Sequence, residues 1–128
     1  MQENQLYEYA VIRLVPRVER EEFLNIGVIL YCAKQKFLGV IFDLNEKKLK
    51  YFSPEIDIEE ITDHLKTFEK ICRGDVDGGP ISKLITAERF RWLTATRSTI
   101  LQTSKVHPGF TKNPGETLKK LFSQQVLL

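Results

Sequence analysis

The residues best suited to chemistry lie in two arginine-bearing segments. The first runs Arg13-Leu14-Val15-Pro16-Arg17-Val18-Glu19-Arg20-Glu21-Glu22-Phe23-Leu24-Asn25-Ile26-Gly27. Arg13, Arg17 and Arg20 each carry a planar guanidinium fork that matches carboxylate or phosphate. Glu19 and Glu22 are of the type that holds magnesium or acts as a base. Asn25 offers an amide that can orient a bound group. The same mixture of signs is also the ordinary composition of a solvated face, where ion pairs add little. Arg13 differs from its neighbours because it is embedded in an apolar stretch. It must reach water or find a partner.

The second segment is Glu88-Arg89-Phe90-Arg91-Trp92-Leu93, followed by Arg97-Ser98-Thr99. Arg89, Arg91 and Arg97 interleave with aromatic rings, a composition that grips nucleotides or single-stranded nucleic acid. Arg97, Ser98 and Thr99 together present a guanidinium, hydroxyls and backbone amides, the parts of an oxyanion cradle. Phe90 and Leu93 fit a core stripe, and a lone tryptophan such as Trp92 is more often core than platform. His107 precedes Pro108-Gly109. A histidine there can serve as a general base, but no nucleophile elbow accompanies it.

Two familiar signatures are missing. His64, His107, Cys32 and Cys72 lack the close paired spacing of a zinc site, so no metal is expected, and no cofactor either. Gly109-Phe110-Thr111-Lys112-Asn113-Pro114-Gly115 lacks the spacing of a phosphate-binding loop.

Alternating and helical patterns say what must position these residues. Leu6 to Val15 reads as a central strand, apolar on both faces and ended by Pro16. Asn25–Cys32 and Phe37–Leu44 read as a hairpin joined by Ala33-Lys34-Gln35-Lys36. In strict alternation Ile26, Val28, Leu30 and Cys32 share one face, with Asn25, Gly27, Ile29 and Tyr31 on the other. Gly27 and Gly39 mark a bulge or a close backbone approach. Ile58 to Cys72 is a helix, with an apolar stripe of Ile58, Ile61, Leu65, Phe68 and Ile71 or Cys72. Asp57 caps it, Glu60 completes a capping box, and Gly74 stops it. A second helix covers Ala87 to Thr94 with Thr86 as its cap, and Thr99 to Thr103 forms a fourth strand. Val106 to Phe110 reads as a loop. The last helix opens on Asn113, Pro114 and Glu116, with Leu118, Leu121, Phe122 and Gln125 inward.

The expected class is therefore α+β. A small antiparallel sheet, a three-stranded meander plus a fourth strand, carries about three helices on one side. At 128 residues, 42% hydrophobic and 28% charged, the chain has the composition of one globular domain over residues 1–128. Its 19 basic and 17 acidic residues give a net charge of +2, too even for a general polyanion binder. The opening MQENQLYEYA has no basic region followed by an apolar one, and no apolar run approaches a membrane span. The expected location is cytoplasmic, with Cys32 and Cys72 reduced and buried.

Tyr7-Glu8-Tyr9-Ala10-Val11-Ile12-Arg13-Leu14-Val15-Pro16-Arg17-Val18-Glu19-Arg20, running into Glu22 to Cys32, resembles the opening of the bacterial domain of unknown function 3037. Glu88 to Leu93, Arg97-Ser98-Thr99 and Val106-His107-Pro108-Gly109 resemble its second half. The sequence departs at Thr96, where the family's pattern has proline, leaving that turn less rigid. The resemblance implies a stand-alone bacterial domain. It also implies a protein partner, because some members are encoded beside a kinase resembling the HipA toxin. The matched polar positions are Arg13, Arg17, Glu19, Arg20, Asn25, Arg89, Arg91, Arg97, Ser98 and His107.

These residues support a non-enzymatic binding module with an arginine-rich site for an anionic ligand or a protein partner. A small phosphate-ester enzyme would instead use Glu19 or Glu22 with His107 as acid and base, gathered around one pocket. A nucleic-acid binder would use Arg89, Arg91 and an exposed Trp92. The single-site form of the binding reading expects Arg13 and Arg17 to lie close to Arg97 and Ser98.

Overall fold

The computed structural model describes residues 3–97 and 99–127. Ser98 lies outside the described residues.

The sheet has five strands: β1 (Gln5–Leu14), β2 (Leu24–Cys32), β3 (Phe37–Phe42), β4 (Leu101–Thr103) and β5 (His107–Thr111). Every pairing is antiparallel. β3 forms one edge, then come β2 and β1. The far side of β1 is shared: β5 pairs with Gln5 to Tyr9, and β4 with Ile12 to Leu14. Val11 falls in the gap between them. Ser104 closes that gap: the Val11 amide donates to Ser104 Oγ at 2.8 Å, and the Ser104 amide donates to the Val11 carbonyl at 2.8 Å. Ser104 is buried, so its hydroxyl stands in for a missing ladder bond.

Four α-helices pack on the sheet: α1 (Glu46–Phe52), α2 (Ile58–Arg73), α3 (Thr86–Leu93) and α4 (Pro114–Phe122). They occupy both faces, which corrects the one-sided arrangement expected from sequence. Ala10, Ile12 and Leu14 of β1 pack with Leu49, Leu65, Phe68, Phe90 and Leu93 from α1, α2 and α3. Tyr7 and Tyr9, on the opposite face of β1, pack with Val28, Leu30, Leu118 and Leu121 beneath α4. A strand buried on both faces needs a cover on both, and α4 supplies the second.

The α2 boundaries follow their local signals. Asp57 Oδ1 accepts from the Glu60 amide at 3.2 Å, and Gly74 ends the helix in the left-handed region at φ 73°. Asn113 caps α4 in the same way, with Pro114 at its first turn.

Three local expectations are corrected. Thr86 is the first residue of α3, not its cap; Ile85 holds the cap position and makes no side-chain cap bond. The Val106–Phe110 loop is instead mostly strand β5. The alternation of β2 breaks at a bulge: Ile12 pairs with Gly27 but Arg13 pairs with Asn25. Ile26 is the extra residue and turns into the α2 core, while Asn25 turns to the α4 side and donates to the Gln125 carbonyl at 3.1 Å. Gly27 beside it is required by close approach, because a Cβ there would lie 2.8 Å from the Ile41 carbonyl oxygen and 2.9 Å from Phe42 Cβ.

Cys32 and Cys72 are buried free thiols. Burial pushes the Cys72 thiol up to about 12, against an ordinary 9.0. Deprotonation is thus easier in the unfolded chain, so stability falls as pH rises between those two values. The thiol of the folded protein is expected to react with a disulfide reagent at pH 8 only as fast as the chain opens. Immediate reaction of both thiols would contradict this burial.

Candidate functional site

The Arg13 segment turns out to be dispersed. Arg13 sits half-buried on β1, with its Cζ 4.0 Å from the centroid of the Phe23 ring. Its Nε and the Oδ1 of Asn25, its cross-strand neighbour, are buried without a hydrogen-bond partner among the described residues. Arg17, Glu19 and Arg20 lie on an exposed 3-10 turn around Val18–Arg20. Arg20 Nη2 pairs with Glu22 Oε1 at 2.7 Å on the surface, the solvated pairing that a mixed charge run favours.

The second segment divides as well. Arg89 turns inward: Nη1 donates to the carbonyls of Ile71 at 3.1 Å and Cys72 at 3.0 Å, and Nη2 to Thr86 Oγ1 at 3.3 Å. It closes the C-terminal end of α2, where carbonyls lack helical partners and a cation is favoured. Arg91 is exposed on the outer side of α3. Arg97 folds back over Trp92, its Cζ 4.1 Å from the centroid of the indole ring, and Nη2 donates to the Trp92 carbonyl. Burial lowers the Arg97 pKa from its ordinary value. Of the proposed cradle, Thr99 Oγ1 is already engaged with the Leu101 carbonyl at 2.7 Å.

The convergence expected of Arg13 with Arg97 does not occur. Ala10, Ile12 and Leu14 all point into the α2 core, so alternation sends Arg13 to the α4 face. Arg97 stands on the α2 and α3 side, beside Ile12, Phe68 and Ile71. A strand core separates the two guanidinium groups.

The acid and base groups of the enzyme reading are also apart. His107 is exposed on β5 opposite Tyr9, with ring centroids 5.4 Å apart. Glu19 and Glu22 follow the far end of β1. Tyr9 and Leu14 alone are roughly 17 Å apart at the usual strand rise of ~3.3 Å per residue. Among the described residues, no group of three or more His, Cys, Asp or Glu side chains is placed to hold a metal ion.

What the fold does build is a cleft of about 250 Å³ between α2, α3 and β4. Ile12, Phe68, Ile71, Leu93 and Leu101 make it apolar, while Arg97, Trp92, His64, Thr67, Gln102 and Thr103 supply its polar and aromatic lining. Trp92 keeps 40% of its surface exposed, although it lies one residue from the buried Leu93. Sequence reasoning chose Arg97 but missed His64 and Thr67 on α2. Their signal was faint: both sit one position before a core residue of that helix, Leu65 and Phe68. Arg17, Arg20 and Glu22 line a second, more polar recess with Phe52, Ser53 and Pro54.

The molecule is thus an α+β protein with a two-sided antiparallel sheet and an apolar cleft rimmed by a guanidinium. The chain belongs to the family described as "Protein of unknown function (DUF3037)", whose model matches residues 9–126. No curated protein and no solved structure matches it. Among the described residues, no helix is long and apolar enough to cross a membrane.

Proposed function

We propose that this chain is a non-enzymatic binding module whose α2–α3–β4 cleft takes a ligand with an apolar body and one anionic head, met by Arg97. The observation that carries this reading is the placement of the Arg97 guanidinium in the lining of an apolar cleft, over the ring of Trp92. Pockets of this composition bind through apolar burial and use a few polar groups to orient the ligand. One fork matches one carboxylate, and a phosphate dianion would leave charge unpaired there. Among the described residues the guanidinium donates only to the Trp92 carbonyl, through Nη2, which leaves other N–H groups to meet the ligand. A protein partner, such as the HipA-like kinase suggested by the family resemblance, meets the same chemistry by inserting a carboxylate beside an apolar side chain.

Trp92 is the only tryptophan and lines the cleft, so its fluorescence reports occupancy directly. Titration with octanoate is expected to give a saturable change, and octanol a much weaker one. Arg97→Ala should weaken octanoate binding by about tenfold or more, the scale of a lost charge-assisted hydrogen bond. Absence of saturation, or equal affinities for octanoate and octanol, would sink the proposal. The exposed Arg91 and the half-exposed Trp92 favour single-stranded nucleic acid as the second reading. Saturation by an oligonucleotide, steeply weakened by salt, would select it instead.

A further inference from the structure

The two edges of the sheet are built differently. The β1 side ends in short strands: β4 has only Leu101–Thr103, and β5 carries Pro108, which has no amide to donate. The opposite edge is β3, Phe37-Leu38-Gly39-Val40-Ile41-Phe42. It has no proline and no charged residue, the usual guards of an open edge. All its residues remain partly exposed.

The register tells which amides face outward. The Asp43 amide donates to the Ile26 carbonyl at 2.7 Å, one step beyond the Phe42–Gly27 pair. Antiparallel ladders alternate, so Ile41, Gly39 and Phe37 bond to β2, while Phe42, Val40 and Leu38 turn their amides and carbonyls away from it. Among the described residues, none of these outward groups has a hydrogen-bond partner across the β3 edge.

We infer that the β3 edge pairs with β3 of a second copy of this chain, antiparallel, about a two-fold axis at Val40. Val40 then exchanges both backbone bonds with its own mate, and Leu38 exchanges bonds with Phe42 of the other copy on either side. Every outward amide and carbonyl finds a partner in this register. The edge is self-complementary because its outward positions are spaced symmetrically about Val40 and none is charged. A two-fold contact needs that property, since each residue must accept its mate in return. Leu38, Val40 and Phe42 also pack against the α2 core on one face, so pairing extends that apolar layer from one copy into the next. A strand-to-strand contact of this length is modest in area, so assembly should depend on concentration.

Sedimentation velocity on the full chain over a concentration series tests the contact, and amide exchange tests the register. The wild type should move from monomer to dimer as concentration rises. Over the same range, protection should rise at Leu38, Val40 and Phe42, while Gly39 and Ile41 stay protected throughout. Val40→Pro removes an amide unused within the monomer and should abolish the dimer. If that variant misfolds, Leu38→Lys, whose aliphatic stem can stay against the α2 core while its ammonium reaches solvent at the edge, should do the same with an unchanged circular dichroism spectrum. A wild type that stays monomeric at the highest concentration overturns the inference. So does a dimer in which protection of the outward amides does not depend on concentration.

Discussion

Leu65→Ala should lower the free energy of unfolding by about 2–5 kcal/mol, the range for truncating a fully buried leucine. Leu65 is fully buried at the middle of the α2 stripe, in the cluster that also holds Ile12, Leu14, Ile29 and Phe90. Truncation removes methyl groups from the place where α2 meets the sheet. The surrounding side chains come from three helices and two central strands, so they cannot collapse together into the void. Chemical denaturation should show a lower midpoint with an unchanged slope. An unchanged midpoint would mean that α2 does not dock as described. The cleft gives a second readout, since Phe68 and Ile71 of the same helix line it. Octanoate binding should weaken in this variant even where the protein remains folded.

Arg89→Met should cost about 1.5–3 kcal/mol, the range for hydrogen bonds to a charged group. Methionine keeps much of the aliphatic stem but leaves the Ile71 and Cys72 carbonyls without their shared donor. Arg89→Lys should recover only part of the loss, because an ammonium cannot span both carbonyls and Thr86 in one plane. Gly74 provides an independent check. A Cβ there would lie 2.6 Å from Arg89 Nη1, so Gly74→Ala should displace the guanidinium and also force a side chain into the left-handed region. Should Arg89→Met leave the denaturation midpoint untouched and change only ligand binding, the capping role would be wrong. Arg89 would then return to the candidate site.

The elements legible in the sequence were those whose signals are local. Asp57, Glu60, the stripe from Ile61 to Ile71, and Gly74 each act within a few residues, and they delimit α2 closely. Helix α1 is not legible because it spans only seven residues and buries only Leu49, too short a stretch to establish a period. Strand β5 read as a loop because Pro108-Gly109 is turn chemistry. Its pairing comes from Tyr7 and Glu8, about a hundred positions earlier in the chain. The bulge at Ile26 reverses the parity that strict alternation assigns, so Asn25 was placed on the wrong face.

The candidate site was less legible than the fold for a related reason. Composition marks an arginine as notable but does not say whether it faces a ligand or the end of a helix. Arg89 and Arg97 come from the same arginine-rich stretch, yet one caps α2 and the other rims the cleft. Only the meeting of α2, α3 and β4 separates those roles.

The closure at Ser104 also bears on how the chain reaches this structure. Val11 and Ser104 are 93 positions apart, so the central strand is completed only by a segment made long after it. Until β4 and β5 arrive, one side of β1 is an unpaired apolar edge. The β1–β2–β3 meander and α2 can assemble early from neighbouring segments. That pairing must close a loop of 93 positions, and such distant contacts slow folding more than they affect final stability. Chains emerging from a ribosome therefore carry the exposed edge until that later segment has been made. This leaves β1, besides the standing edge at β3, as a second strand open to pairing with another nascent chain.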